Sequence, residues 1–169
     1  GTNGEVPVQF YNPATDVLNA VAVQSDGRIV IAGYARDGVN SPVQEDIVAA
    51  RFSASGAPDP TFDADGQVIT DFESRGDAGY GVLLQPDGAI IVTGNASVAN
   101  PFGLSDANFA AVRYSAAGAP DTSFDGDGKA NANVAGAADF DYASALQPDG
   151  KIVVAGRVAN SGGANPDIG

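Results

Sequence analysis

Three observations predict that this chain is built entirely of β-strands. One phrase is repeated along it: Gln24-Ser25-Asp26-Gly27-Arg28-Ile29-Val30-Ile31-Ala32-Gly33 returns as Gln85-Pro86-Asp87-Gly88-Ala89-Ile90-Ile91-Val92-Thr93-Gly94 and again as Gln147-Pro148-Asp149-Gly150-Lys151-Ile152-Val153-Val154-Ala155-Gly156, at steps of 61 and 62 residues. A fixed period of this size marks an array of like supersecondary units. The apolar segments are short, rich in Val and Ile and bounded by turn residues, which is the signature of strands. The 22 Gly and 10 Pro are spread with the repeats, and no stretch of ten or more residues keeps helical spacing without a breaker.

The strands expected in the first copy are 6–10, 18–24, 28–35 and 47–52. In the second they are 68–72, 80–85, 89–94 and 109–114, and in the third 130–134, 142–147 and 151–158. Segment 107–116 is the nearest thing to a helix, but its β-branched counterpart 47–52 assigns both to strands. Ser-Asp-Gly or Pro-Asp-Gly joins the second and third segments of each copy, and Asp-Gly supplies the positive φ that a tight hairpin requires. Ile29-Val30-Ile31-Ala32 is apolar on both faces, as in a strand covered on both sides. The result is a tandem of four-stranded antiparallel blades, propeller-like, with about three repeats: 1–63, 64–125 and 126–169. The third lacks its fourth strand. Because a closed propeller takes at least about four blades, the array is expected to be part of a longer protein or of an assembly.

The surplus of each unit over a common propeller repeat sits in two connections. The loops 36–45, 96–105 and 159–166 differ from one another, as loops free to recognise a partner would. The linkers 53–66 and 115–128 agree at 10 of 14 positions, as segments with one shared physical task would.

Composition narrows the functions. There is no Cys and no His, so thiolate sites, disulfides and imidazole chemistry are absent from the sequence given. Net charge is −13, with 18 Asp against 3 Glu. That balance disfavours nucleic acid, and Asp in excess over Glu points to turns or to hard-cation ligands. No apolar run is long enough to insert into a membrane.

The repeated acidic linker is the strongest candidate for a metal. Asp59, Asp63 and Asp65 before Gly66 recur as Asp121, Asp125 and Asp127 before Gly128. Alternating carboxylates before a glycine suit calcium, although no acidic residue stands at the twelfth position of an EF-hand loop. Turn formation by Asp-Gly explains the same residues. Arg51 and Arg113, beside Phe52 and Tyr114, are expected to pin the linker by pairing with Asp59 and Asp121. Asp26-Gly27, Asp87-Gly88 and Asp149-Gly150 are structural hairpin residues. Asp16, Asp77 and Asp139 precede the hairpin Asp by ten residues each. They are read as residues opening a strand, with a carboxylate ring around a channel as the alternative.

The strings Gln-Pro-Asp-Gly-Lys-Ile-Val-Val-Ala-Gly, Phe-Ala-Ala-Val-Arg-Tyr and Gly-Ala-Pro-Asp-Thr-Ser-Phe-Asp-Gly-Asp-Gly resemble the delta-60 repeat, a β-propeller repeat of unknown function in bacterial secreted and surface proteins. The resemblance covers nearly the whole chain. It implies a propeller-like fold and an extracellular setting, and no activity. The chain departs from the pattern at Asn3, where other copies carry Asp65 and Asp127, and in the weakly apolar segment 130–134.

The functional expectation is a secreted or cell-surface structural and interaction module without enzymatic activity: no nucleophile elbow, phosphate loop or zinc signature is present. Its expected partners are further copies of itself or of the repeat, joined by strand complementation into filaments or rings, and surface glycans or proteins. One alternative is a calcium-dependent carbohydrate-binding module, with Tyr34 and Phe102 as its aromatic platforms. Another is a non-catalytic propeller fragment of a larger extracellular hydrolase, whose carboxylate pair would lie elsewhere.

Overall fold

The computed structural model describes residues 4–11, 14–37, 44–73, 75–99, 105–134, 138–159 and 167–168. The three variable loops fall largely outside them, as do Asn3 and Phe102. Among the described residues every regular element is a strand: β1 Ala14–Val23, β2 Ile29–Asp37, β3 Glu45–Phe52, β4 Gln67–Thr70, β5 Asp77–Leu84, β6 Ile90–Ala99, β7 Ser105–Tyr114, β8 Lys129–Ala132, β9 Asp139–Leu146, β10 Ile152–Val158 and β11 Asp167–Ile168. They form antiparallel sheets ordered β1-β2-β3-β4, β5-β6-β7-β8 and β11-β10-β9.

The sheets are out of step with the sequence repeat by one strand. Segment 68–72 opens the second copy in sequence, but β4 pairs with β3 of the first sheet, Val48 opposite Ile69. Likewise β8 closes the second sheet, Ala110 opposite Asn131. The corresponding segment of the first copy, 6–10, lies in no strand. Each outer strand thus carries the chain across from one blade to the next. The linker is long enough to let it do so, and the exchange ties adjacent repeats together.

The hairpin turns are of a different type from the one Asp-Gly alone suggests. Only the glycine takes positive φ, at 85° for Gly27, 89° for Gly88 and 85° for Gly150. The Gly27 N–H donates to the Gln24 carbonyl at 2.9 Å and the Gln24 N–H to the Arg28 carbonyl at 2.8 Å. This is a type I turn with the glycine in a bulge, and it suits the Pro86 and Pro148 that stand at its second position. The Asp side chain accepts the N–H two residues on, as Asp26 does from Arg28 at 3.0 Å.

The inner strands β1, β5 and β9 each carry a bulge, at 18/20, 79/81 and between the partners of Ala155 and Gly156. The bulge drives the inner backbone onto the second strand. A Cβ on Gly33, Gly94 or Gly156 would lie 1.9 Å from the carbonyl oxygen of Val17, Ala78 or Phe140. The last glycine of the repeated phrase is therefore a packing requirement.

Strand β5 lies across β1, β2 and β3, and β9 lies across β5, β6 and β7. The middle sheet is covered on both faces, and Ile90 to Ala96 of β6 is buried at every position. The same phrase in β10 alternates, with Val153 44% exposed. The apolar core joins Val30, Ile47, Phe62 and Val68 to Ile90, Val92, Val112 and Tyr114.

Candidate functional site

The linker is a clamp built around one carboxylate. Asp59 Oδ2 accepts from Arg51 Nε at 2.8 Å and Arg28 Nε at 2.9 Å. Its Oδ1 accepts from the Thr61 hydroxyl at 2.6 Å and the Thr61 N–H at 3.0 Å. The Thr61 hydroxyl and N–H, with the Arg51 guanidinium, hold the Asp59 carboxyl down at about 2 against the opposing effect of burial. Asp121 repeats the pattern with Arg113 Nε at 2.8 Å and the Ser123 hydroxyl at 2.7 Å. Each arginine also covers a linker aromatic, Arg51 lying 4.9 Å from the Phe62 ring centre and Arg113 5.1 Å from that of Phe124.

These carboxylates are spread along the linker. Among the described residues, Asp59, Asp63 and Asp65 bring no three carboxylate oxygens together, nor do Asp121, Asp125 and Asp127. Asp59 is engaged by two guanidinium groups. Asp65 and Asp127 accept the N–H of Gln67 and Lys129 at 2.8 and 2.9 Å, opening the outer strands. Asp63 and Asp125 take positive φ and face solvent. The group of three that does converge is Asp46, Asp71 and Asp77, with one oxygen of each within 4.8 Å of the others. Such oxygens suit a hard cation. However, Asp46 already accepts the Tyr11 hydroxyl at 2.5 Å, and Asp77 accepts two backbone N–H groups.

Asp16, Asp77 and Asp139 share one task. Each accepts the backbone N–H of a residue five or six positions earlier: Phe10 at 3.1 Å, Phe72 at 2.6 Å and Val134 at 2.7 Å. They close the crossing between an outer strand and the next inner strand. Asp77 also accepts from the Ser97 N–H at 3.1 Å. Burial pushes its carboxyl up to about 8, against both donors, and pushes that of Asp139 upward too.

The site that sequence reasoning missed lies where the inner strands meet. A cavity of about 390 Å³ is lined by Asn19, Tyr80, Asn95, Phe140, Asp141 and Tyr142. Asn19, Tyr80 and Tyr142 occupy one repeat position, the bulge of β1, β5 and β9. Asn19 Nδ2 donates to the Gly79 carbonyl at 2.8 Å, and the Asp141 N–H donates to Asn95 Oδ1 at 3.1 Å, so the cavity walls are stapled from sheet to sheet. The legible signal was a break in the repeat: Asp141 stands where the other copies have Leu18 and Gly79. Of the expected carbohydrate platforms, Tyr34 is half-buried under Arg36. Among the described residues the exposed aromatics are Tyr80, Phe140 and Tyr142.

Interlocked antiparallel sheets, two of four described strands and one of three, whose first strands meet at one cavity, define a β-propeller repeat protein. The family model described as "Domain of unknown function (DUF5122) beta-propeller" matches residues 24–62, 85–124 and 147–168, and the chain belongs to that family. No curated protein matches the chain.

Proposed function

We propose that this chain is a non-catalytic interaction module that extends by docking the linker of one repeat onto the strand-end turn of another. The carrying observation is the contact between the first linker and the second repeat. Arg51 Nη1 donates to the Ala116 carbonyl at 2.6 Å and the Asp63 N–H to the Ala117 carbonyl at 2.8 Å. Phe62 is fully buried, edge-on to Tyr114 at 6.3 Å between ring centres.

Both halves of that contact recur in an open form. Phe124 is half-buried beside an apolar cavity of about 200 Å³ that reaches Phe109, Ile152 and Val154. In the matching turn of the first repeat Gly56 is half-buried, whereas Gly118 is buried under Phe62. A plug and a socket on different parts of one molecule make a head-to-tail contact, which propagates into rings or filaments. The acidic, cysteine-free composition suits a secreted or cell-surface setting.

Light scattering on the full chain over a range of concentrations tests the reading. Association that grows with concentration and is abolished by Phe124→Ala is expected. A chain that stays monomeric throughout overturns it.

A further inference from the structure

We propose that the cavity between the inner strands binds a small organic cation, an alkylammonium or guanidinium group, with Asp141 as its counter-charge and Tyr80 and Tyr142 as its aromatic walls. The argument begins with Asp141. It is 4% exposed, and both of its carboxylate oxygens are buried without a hydrogen-bond partner. Buried polar atoms are nearly always paired, and a lone buried carboxylate is costly. Burial pushes the Asp141 carboxyl upward, as a missing counter-charge leaves it, and the nearby Thr93 hydroxyl and Ala143 N–H only partly oppose this, since neither bonds to it. No guanidinium or ammonium group forms an ion pair with it among the described residues.

The walls match the same ligand. Tyr80 is 42% and Tyr142 70% exposed, and ring faces attract cations. Two further acids act nearby. Asp139 is buried two residues before Asp141, and the Tyr80 phenol is pushed upward by burial first, then by Tyr34, Glu45 and Asp141. Neither neighbouring cation neutralises Asp141: Arg36 pairs with Glu45 at 2.6 Å, and Arg157 lies over the Phe140 ring of the cavity wall at 5.8 Å. The polar atoms of Asn95 are spent within the protein, its Nδ2 on the carbonyls of Asn108 and Asp139 and its Oδ1 on the Asp141 N–H. That leaves few donors and acceptors for the hydroxyls of a sugar, and the carboxylate dominates.

The full chain contains no Trp, so tyrosine fluorescence and tyrosine ring NMR signals report on this site. Titration with n-butylammonium, tetramethylammonium and neutral n-butanol is the test, with melting curves confirming the fold of each variant. Saturable binding of the two cations and none of the alcohol is expected. Asp141→Asn should weaken cation binding about thirtyfold or more, and Tyr142→Leu about threefold. Because Tyr142 is exposed, the second variant keeps the test open if the first perturbs the strand. N-acetyl-lysine N-methylamide binding more tightly than n-butylammonium would place the cation on a polypeptide partner, and the reverse on a free small molecule; either supports the site. Failure of the intact chain to bind either cation, equal binding of n-butanol, or cation binding indifferent to both substitutions overturns it.

Discussion

Two carboxylates of this chain shift in opposite directions, and together they shape its response to pH. Asp59 is held at about 2, against 3.8 in an unstructured chain, first by the Thr61 hydroxyl and then by its other partners. A depressed carboxyl adds stability above the unfolded value and loses it as pH falls through the folded one, so this contribution fades between pH 4 and pH 2. Asp77 is raised to about 8 by burial. From pH 4 to pH 8 the folded chain keeps a proton that the unfolded chain has lost, and its contribution to stability falls with rising pH. Melting temperature should therefore rise from pH 2 to 4 and decline from pH 5 to 8. Asp59→Asn flattens the first limb and Asp77→Asn the second, which melting curves across that range would show. The linker pairs also differ in burial: Arg51 and Asp59 are 5% and 6% exposed, Arg113 and Asp121 22% and 27%. Asp59→Asn at pH 7 should cost about 3 kcal/mol, because it strands a buried guanidinium. Asp121→Asn should cost about 1 kcal/mol or less. Urea unfolding of the two variants measures the contrast.

The individual strands show how far sequence could lead. The hairpins were legible because Pro-Asp-Gly states its turn chemistry locally; β2 and β10 fall within a residue or two of where their Val and Ile runs place them, and β6 starts within one residue of its run but continues past it to Ala99. The assignment of β4 and β8 to sheets was not legible. Val68 and Ala130 follow a linker that reads as a repeat boundary, and only pairing with β3 and β7 shows which blade they close. The inner bulges were hidden too, since nothing in Leu18 or Gly79 announces a register shift. Their mark is on the neighbouring strand, in the glycine each copy keeps. Adding one methyl at Gly94 puts it 1.9 Å from the Ala78 carbonyl oxygen, whereas Gly76 has nothing within 4 Å. Gly94→Ala should lose about 3 kcal/mol, and Gly76→Ala should stay within about 0.5 kcal/mol, as read from denaturant midpoints. The clamp between Arg51 and Asp59 was within reach of sequence, since both residues recur at one spacing. The cavity was not, because Asn19, Tyr80 and Tyr142 of its lining come from one position of three different repeats that only folding brings together.

Sheets that trade strands and dock linkers need not unfold one at a time. The outer strand of the first sheet is chemically continuous with the inner strand of the second. Phe62, Arg51 and Asp63 add a second tie through the turn at Ala116 and Ala117. In a repeat array, cooperativity depends on how the coupling between neighbours compares with the stability of each unit. Phe62 sits in the core shared by the first two sheets, so its truncation removes coupling as well as burial. Phe62→Ala should lower stability by about 3–5 kcal/mol. It should also split one unfolding transition into two, because the second and third sheets remain joined by β8 and the Asn95–Asp141 staple. Phe124→Ala, at the half-buried counterpart, should cost the monomer far less and leave a single transition. Urea unfolding followed by tyrosine fluorescence, alongside amide exchange mapped by sheet, separates the outcomes. A Phe62→Ala chain that still unfolds in one step, with all sheets exchanging together, would show that the crossing strands alone bind the repeats into one cooperative body.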